Sequence, residues 1–243
     1  MNDSASRRFF FVHIMKTGGA TLRQHIYANF DKGAVFPVPS LDDMDRAWLL
    51  DYLLQLPPDR RATIRGYMGH YPYVATQLLG ESLVTLSILR DPVERTISYL
   101  KHCKRYHDQH RALSLDEIYD DPFHFACFVA NHQTKVFSMT SEDRLESFMD
   151  VIAIDDRRLT LAKDNLEQVD VLGVHERYDE FVSELQERFE WRFDRAGNRR
   201  VSRERWNVSP ALRRRIASDN AADVELYEHA LALQRRRTRG RDG

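Results

Sequence analysis

Residues His13–Leu22 bring together a lysine, two glycines and two hydroxyl side chains, a combination that suits binding of a terminal phosphate or sulfate. The apolar run Phe9–His13 predicts a buried strand that leads through a short turn into a helix. Backbone N–H groups at a helix start lack partners, and the helix dipole favours an anion there. Glycines allow the backbone to approach a ligand closely. The candidate binding residues are Lys16, Thr17, Gly18, Gly19, Ala20 and Thr21.

The order of these residues differs from that of the common nucleoside-triphosphate loop. In that loop the lysine follows the second glycine and precedes a Ser or Thr that holds Mg²⁺. Here Lys16 precedes both Gly18 and Gly19. From these residues alone two interpretations stay open, an anion-binding loop and an ordinary strand–helix turn with a surface lysine.

A second candidate anion site follows the predicted strand Leu83–Leu89. Arg90 ends this strand at the carboxyl edge of the sheet, where open α/β sheets bind their ligands. A guanidinium can donate two parallel hydrogen bonds to a phosphate. Ser98 lies two turns along the helix that follows and could reach the same group. The alternative is an ion pair of Arg90 with Asp91 or Glu94.

His70 is the candidate general base. It follows a strand predicted at Ala62–Gly66 and lies in the glycine-containing turn Gly66–His70. An imidazole that titrates near neutrality suits this role. Because the chain has ten histidines, a surface histidine without a role is the alternative.

Other polar residues have two open interpretations each. Ligand binding and helix capping are both open for Asn131, Gln133 and Thr134. A basic stretch follows the second candidate anion site, and it either lines a cleft for an anionic acceptor or forms an exposed helix face. Its members are Lys101, His102, Lys104, Arg105, His107, His110 and Arg111. A solvated charge run in a predicted long loop, Asp194–Arg205, is the first interpretation for Arg199, Arg200, Ser202 and Arg203.

Composition excludes several classes of protein. Of the 243 residues 42% are hydrophobic and 11% aromatic, which excludes overall disorder. The net charge of −1 gives no general attraction to nucleic acid or membrane. No apolar run approaches about 18 residues, so no membrane span is expected. Two cysteines, Cys103 and Cys127, lack metal spacing, and no metal site is predicted.

The alternation of strands and helices predicts an α/β fold, P-loop-like, with a mainly parallel sheet and helices on both faces. A fourth strand is predicted at Val169–Val174. The predicted helices are Leu41–Leu56, opened by a capping box of Ser40 and Asp43, Pro92–Tyr106, a helix capped by Ser114 with Glu117, a helix opened by Ser209 and Pro210, and Ala221–Arg235.

Domain organisation and compartment follow from the termini and the cysteines. The N-terminal apolar run Phe9–Val12 is too short for a signal peptide, and two cysteines are too few for a disulfide framework, so a cytoplasmic protein is expected. One domain is expected over residues 1–234. Residues 235–243 hold five arginines and one aspartate, and we expect a disordered tail there, with a nucleic-acid arm as the alternative.

The two anion-site motifs, in this order and about 70 residues apart, resemble those of sulfotransferases that use 3′-phosphoadenosine 5′-phosphosulfate (PAPS). The likeness is to the carbohydrate sulfotransferase group that includes heparan sulfate 2-O-sulfotransferase and its bacterial relatives. In that family His-Ile-Pro-Lys-Thr-Gly-Gly-Thr-Ser-Leu binds the 5′-phosphosulfate. Residues His13–Leu22 match it, with Met15 for the proline, Ala20 for the threonine and Thr21 for the serine.

The resemblance also covers the second motif and most of the chain. The family's 3′-phosphate site is an arginine with a serine eight positions further on, as Arg90 and Ser98 are here. Family members carry a base histidine in a Gly-His turn, which corresponds to His70; some have a second histidine two positions earlier, where this chain has Met68. Relatives place late-loop residues over the nucleotide, which corresponds to residues 199–203.

The resemblance implies an in-line sulfuryl transfer from PAPS to a hydroxyl of a carbohydrate or small molecule, without a metal. Lys16 would stabilise charge on the bridging oxygen of the leaving nucleotide, and His70 would accept the hydroxyl proton. Two other functions stay open: a P-loop-type kinase that uses ATP and Mg²⁺, and a nucleotide-binding module without catalysis. The position of Lys16 disfavours the first, and the presence of both Lys16 and His70 disfavours the second.

Overall fold

A five-stranded parallel sheet forms the centre of the computed structural model, which describes residues 7–38, 46, 48–147, 149–193 and 208–239. Its strands are β1 Phe9–Val12, β2 Val35–Phe36, β3 Gly66–Tyr67, β4 Val84–Leu89 and β5 Val171–Val174. Their spatial order is β2-β3-β1-β4-β5, and every neighbouring pair is parallel. The predicted α/β fold with a parallel sheet is confirmed.

Twelve helices are found among the described residues, and none of them is long and apolar enough to cross a membrane. They are α1 Gly19–Asn29, α2 Leu50–Leu54, α3 Pro58–Thr63, α4 Val74–Leu78, α5 Pro92–Tyr106, α6 Leu115–Tyr119, α7 Pro122–His124, α8 His132–Ser138, α9 Asp156–Glu167, α10 Tyr178–Phe189, α11 Pro210–Asp219 and α12 Ala221–Arg239. A π-helical turn, Phe125–Val129, and 3₁₀ turns at Lys32–Ala34, Asp108–His110 and His175–Arg177 complete the secondary structure.

Helices cover both faces of the sheet because successive residues of β1 point to opposite sides. Phe9 and Phe11 pack with α1 and α10 on one face. Phe10 and Val12 pack with α2, α4, α8, α9 and α12 on the other. All four side chains are at most 2% exposed, as expected for the central strand of a parallel sheet.

Local capping signals fix the starts of three helices as the sequence predicted. Asp91 accepts a hydrogen bond from the Glu94 N–H and Pro92 occupies the first turn of α5. Ser114 and Glu117 form the capping box of α6. Ser209 caps α11, whose first residue is Pro210.

The predicted strand at Ala62–Gly66 is wrong. Pro58 begins a helix, α3, that includes Ala62, and the strand is displaced to Gly66–Tyr67. Proline at a first helical position fixes a helical φ, so Pro58 begins α3 at the point where a strand was expected to follow shortly. The two-residue strand β2 was not predicted at all.

The predicted helix Leu41–Leu56 is interrupted at Leu49; Arg46 before it is helical, and residues 41–45 and 47 lie outside the described residues. Leu49 has extended backbone angles and forms an antiparallel bridge with Ser147, so α2 begins only at Leu50. The capping residues Ser40 and Asp43 lie outside the described residues.

The expected disorder of the arginine-rich tail is wrong for residues 235–239, which continue α12. Arg237 donates from Nη1 to the Val169 carbonyl at 2.8 Å and from Nη2 to the Glu167 carbonyl at 2.8 Å. Arg236 forms an ion pair with the Glu167 carboxylate at 3.0 Å. These cations hold the C-terminal end of α9, where orphan carbonyls and the helix dipole favour positive charge. Residues 240–243 lie outside the described part of the chain.

We expect Arg237→Ala to lower the free energy of unfolding by about 1–2 kcal/mol, because it leaves two carbonyls without their charged donor. Urea denaturation measures the change. Arg235→Ala is the matched control, because the Arg235 side chain is exposed on the same helix. An equal effect of both substitutions would show that Arg237 acts only through net charge.

Candidate functional site

The loops after β1 and β4 flank the crevice of the sheet. From β1 the chain crosses to β2 and β3 on one side, whereas from β4 it crosses to β5 on the other. This is a topological switch point, and open α/β sheets bind ligands outside the carboxyl ends of the strands there. The first of the two loops carries Lys16, and the second begins with Arg90.

The loop after β1 presents a row of unused backbone donors. Within the described residues, no backbone N–H group from Lys16 to Ala20 donates a hydrogen bond. Lys16 and Gly18 adopt positive φ angles of 71° and 109°, which turn the backbone sharply before α1 begins. Successive N–H groups in such a turn form a concave site for an anion.

Thr17 has a different role from the one predicted for its side chain. It is fully buried, and its hydroxyl donates to the Ile14 carbonyl at 2.9 Å. The hydroxyl proton therefore stabilises the turn, and Thr17 can offer a ligand only its backbone N–H. Ala20 is exposed and Thr21 is half-buried in the first turn of α1.

Gly19 is required by the packing beneath the loop. A Cβ atom at this position would lie 1.9 Å from Nε2 of His13. The ring of His13 in turn stacks on His70, with ring centroids 4.1 Å apart. Only glycine at this position lets the start of α1 approach the pair of imidazoles.

Arg90 contacts the lysine loop directly. Its Nη1 donates to the Lys16 carbonyl at 3.0 Å, and its Nε is buried without a hydrogen-bond partner in the described residues. Gln133 holds the backbone of Arg90 from both sides, accepting from its N–H at 3.0 Å and donating to its carbonyl at 2.8 Å. The structure thus brings together the two predicted anion sites.

The alternative of an Arg90 ion pair with Asp91 or Glu94 is not what the structure contains. Asp91 instead accepts from the Glu94 N–H, and the Glu94 carboxylate pairs with Arg213 at 2.6 Å. Ser98 lies one turn after Glu94 and is half-buried, and its hydroxyl makes no hydrogen bond to the described residues.

Arg95 belongs to the site and was missed from the sequence. Its side chain is 0% exposed, and Nε donates to the Met15 carbonyl at 3.3 Å. Neither Nη1 nor Nη2 has a partner among the described residues. The guanidinium lies over the ring of Tyr99, 5.8 Å from its centroid. The available signal was its position in α5, where it is the one charged residue on the buried stripe.

The site holds positive charge at an energetic cost. Burial, followed by repulsion from Arg90, lowers the pKa of the Lys16 ammonium. Burial also lowers the pKa of Arg90, and it lowers that of Arg95 to about 10. Within the described residues no carboxylate forms an ion pair with any of these three cations. A bound anion would offset both the lost hydration and the mutual repulsion.

His70 lies at the same edge of the sheet, after β3. Its Nδ1 is 2.9 Å from the His13 carbonyl oxygen. Because a carbonyl can only accept, Nδ1 carries the proton and the neutral ring has its lone pair on Nε2. Burial, with smaller contributions from the positive charges of Arg23 and Lys16, lowers the pKa of His70 to about 4. The ring is therefore neutral at pH 7.

Asn131, Gln133 and Thr134 are used inside the fold. Asn131 adopts a left-handed backbone conformation, φ 44°, and precedes α8. The buried carboxylate of Asp223 accepts from the N–H groups of Gln133 and Thr134 and from the Thr134 hydroxyl, at 2.7–3.1 Å. Asp223 therefore caps α8, whereas the Asn131 side chain makes no capping hydrogen bond to that helix. Residues 199–203 lie outside the described part of the chain.

The basic residues between Lys101 and Arg111, in the second half of α5 and just after it, include groups that bond to neighbouring parts of the chain instead of lining a cleft for an anionic acceptor. The Lys104 ammonium donates to the carbonyls of Arg111 and Leu113. Arg111 forms an ion pair with Asp108 at 2.6 Å, and His110 is buried. These groups stabilise the turn that follows α5.

Comparisons with known proteins assign no family to this chain. No protein-family model matches it, and no curated protein matches it significantly. The site is therefore interpreted from its own geometry and charge.

No group of three or more His, Cys, Asp or Glu side chains in the described ranges is arranged to hold a metal ion.

We expect the neutral state of His70 to make stability depend on pH. Its pKa is about 4 in the folded state and near 6.5 when unfolded, so the unfolded state binds more protons between these values. The free energy of unfolding therefore rises as pH increases through this window, and it decreases again as pH falls toward 4. His70→Gln should reduce the slope by up to about 1.4 kcal/mol per pH unit. Urea denaturation across the window tests this, and equal slopes would contradict it.

Proposed function

We propose that the chain is a PAPS-dependent sulfotransferase that transfers a sulfuryl group to an acceptor hydroxyl. The observation that carries the proposal is the contact between two anion-binding elements at the switch point. One is the row of free N–H groups of residues 16–20 with Lys16, and the other is the Arg90 guanidinium, 3.0 Å from the Lys16 carbonyl. Their proximity fits two anionic groups carried by one ribose.

In this proposal each element binds one end of the nucleotide. The N–H groups of residues 16–20 and the Lys16 ammonium bind the 5′-phosphosulfate. Arg90 binds the 3′-phosphate, for which its buried Nε is an unused donor. Ser98, one turn beyond Glu94, adds a hydroxyl to the second group.

The reaction is an in-line displacement at sulfur. The acceptor oxygen forms a bond to sulfur while the bond from sulfur to the bridging oxygen of the nucleotide breaks. The Lys16 ammonium stabilises the charge that develops on that oxygen. Nε2 of His70 accepts the hydroxyl proton, and its tautomer for this is set by the His13 carbonyl.

The low pKa of His70 is compatible with a base that works only when the donor is bound. Positive charge on Lys16 and Arg23 contributes to the depression of its pKa. A dianionic donor beside Lys16 cancels part of this effect and raises the pKa toward the range useful for proton transfer. The base then becomes effective when both substrates are present.

An ATP- and Mg²⁺-dependent kinase is the function that a binding experiment must separate from this one, because backbone N–H groups also suit a nucleoside triphosphate. We expect 3′,5′-adenosine bisphosphate to raise the melting temperature in EDTA, whereas ATP without metal should do little. Differential scanning fluorimetry measures both. A response to ATP with Mg²⁺ alone would favour the kinase.

Within the same experiment, Arg90→Ala should weaken binding of the bisphosphate by about 100-fold, because it removes a buried charged donor. Binding of 5′-AMP, which lacks the 3′-phosphate, should fall much less, because it loses only the support that Arg90 gives the loop through the Lys16 carbonyl. Arg144→Ala is the matched control, because Arg144 is exposed and pairs only with Glu146 in the described structure. Equal loss for both nucleotides would remove Arg90 from the 3′-phosphate site.

We expect His70→Ala to reduce turnover by about 10²–10⁴-fold while binding of the bisphosphate persists. Turnover is measured by mass spectrometry on a panel of hydroxyl acceptors with labelled PAPS. His229→Ala serves as control, because His229 pairs with Glu167 on the α9–α12 interface away from the loop. Near-normal turnover of the His70 variant would eliminate it as the base.

A further inference from the structure

Two arginines bond to the two peptide groups that flank Lys16. Nε of Arg95 donates to the Met15 carbonyl, which belongs to the same peptide as the Lys16 N–H, and Nη1 of Arg90 donates to the Lys16 carbonyl. Both peptides of Lys16 are therefore held at their oxygen atoms. Arg90 is also the proposed ligand of the 3′-phosphate, whereas the Arg95 side chain is 0% exposed and cannot contact a nucleotide.

The backbone conformation of Lys16 depends on such support. Its φ angle is 71°, in the left-handed region that residues other than glycine rarely adopt. A lysine persists in this conformation only where the surrounding structure fixes it. Because the C=O and N–H bonds of a trans peptide point in opposite directions, the bond from Arg95 to the Met15 carbonyl directs the Lys16 N–H away from Arg95. This N–H group is the first in the row of unused donors of the loop.

Arg95 makes few hydrogen bonds for a buried guanidinium. The bond to the Met15 carbonyl is its one hydrogen bond to the described residues, and neither Nη1 nor Nη2 has a partner there. Burial lowers the pKa of Arg95 to about 10, and the carboxylate of Asp223 opposes this shift without forming an ion pair with Arg95 in the described structure. Unused donors on a buried charge are costly.

Arg8 shows how an arginine with a structural role is bonded in the same chain. It precedes β1, at the opposite end of that strand from the loop. Its guanidinium donates to two backbone carbonyls and to the Tyr67 hydroxyl at 2.7–2.9 Å, and it forms an ion pair with Glu81 at 3.0 Å. Arg95 has no comparable set of partners, so support of the fold alone does not explain a charge at its position.

On the basis of the proposed sulfotransferase function, we propose that Arg95 is a positioning residue for the 5′-phosphosulfate half of the donor site. Its Nε–H holds the Met15 carbonyl, and through it the Lys16 peptide, in the conformation that presents the loop N–H groups to the 5′ group. Its charge also contributes to the lowered pKa of the Lys16 ammonium. A bound anion lessens this repulsion between the two cations.

The test measures nucleotide affinities of the full chain by isothermal titration calorimetry. The probes are 3′,5′-adenosine bisphosphate, 5′-AMP and 3′-AMP. Arg95→Met removes the charge and the donors but keeps an unbranched side chain. We expect its affinity for the bisphosphate and for 5′-AMP to fall by the same factor, at least about tenfold, because a charged donor to the loop is lost. Its affinity for 3′-AMP should change little, because Arg90 remains.

This pattern differs from the one expected for Arg90→Ala, which weakens binding of the bisphosphate much more than binding of 5′-AMP. Equal losses of affinity for 5′-AMP and 3′-AMP in Arg95→Met would indicate a general disturbance of the site and would overturn the positioning role.

Arg95→Lys separates the hydrogen bond from the charge. A lysine keeps the positive charge, but it has a methylene group where Arg95 has Nε. We therefore expect Arg95→Lys to lose as much affinity for 5′-AMP as Arg95→Met does. Wild-type affinity in the lysine variant would show that charge alone is required, and it would overturn the role of the bond to the Met15 carbonyl.

Arg8→Met is the matched control, because it removes an arginine bonded to backbone carbonyls at the other end of β1. We expect this variant to have a lower melting temperature and unchanged affinity for all three nucleotides. Loss of 5′-AMP affinity equal to that of Arg95→Met would show that any such arginine affects the loop, which would contradict a specific role of Arg95.

The remaining outcomes separate the role of Arg95 from the proposed function. Unchanged affinity of Arg95→Met for the bisphosphate and 5′-AMP overturns the positioning role alone. If the wild type binds ATP with Mg²⁺ but not the bisphosphate, the sulfotransferase is overturned. A tenfold loss of ATP affinity in Arg95→Met then supports the positioning of the loop, and an unchanged affinity overturns it as well. Failure of the wild type to bind any of these nucleotides overturns both.

Discussion

Two arginines, one just before α5 and one in its first turns, donate hydrogen bonds to two consecutive carbonyls of the loop after β1. The conformation of this loop depends on these two bonds. Arg95 donates to the Met15 carbonyl and Arg90 to the Lys16 carbonyl. In a trans peptide the C=O and N–H bonds point in opposite directions, so a carbonyl that is bonded to an arginine directs the N–H group of the same peptide away from that arginine. The loop therefore presents the N–H groups of residues 16–20 to the crevice, with the Lys16 ammonium beside them. The same arginines add positive charge, and neither forms an ion pair with a carboxylate of the described chain.

Much of the surrounding structure keeps this arrangement in place. Gln133 fixes the backbone at Arg90 through two hydrogen bonds, and Asp223 in turn fixes the backbone at Gln133. Asp223 lies in the first turn of α12 and is 1% exposed. A chain of contacts therefore runs from the last helix through α8 to the end of β4. Gln133 and Thr134, which the sequence offers as candidate ligand-binding residues, make their hydrogen bonds within this support instead.

The sequence predicts those parts of the molecule that local chemistry determines. The apolar runs of β1 and β4, the start of α5 at Pro92, the capping box of Ser114 and Glu117, and the lysine–glycine order all act within a few residues. The candidate residues Lys16, Arg90 and His70 were accordingly identified. Strands β2 and β3 were mispredicted because two residues carry no periodicity, and their existence depends on pairing with neighbours in the sheet.

What the sequence could not predict depends on distant partners. The end of α12 is helical because residues 167–169 accept its arginines, and nothing near Arg237 in the sequence indicates this. Arg95 was missed for the same reason, since its partner is a carbonyl 80 residues away. Thr17 was expected to offer a hydroxyl to a ligand, but the direction of its hydroxyl is set by the turn itself.

His13 connects the loop after β1 directly to His70. His13 leads from β1 into the loop, its carbonyl sets the tautomer of His70, and its ring stacks on the same imidazole. Gly19, at the start of α1, packs against the Nε2 edge of the His13 ring. An anion that draws the loop N–H groups toward itself must therefore also act on the position of His13. Binding of an anion at this loop and the orientation of His70 are therefore coupled through a single side chain.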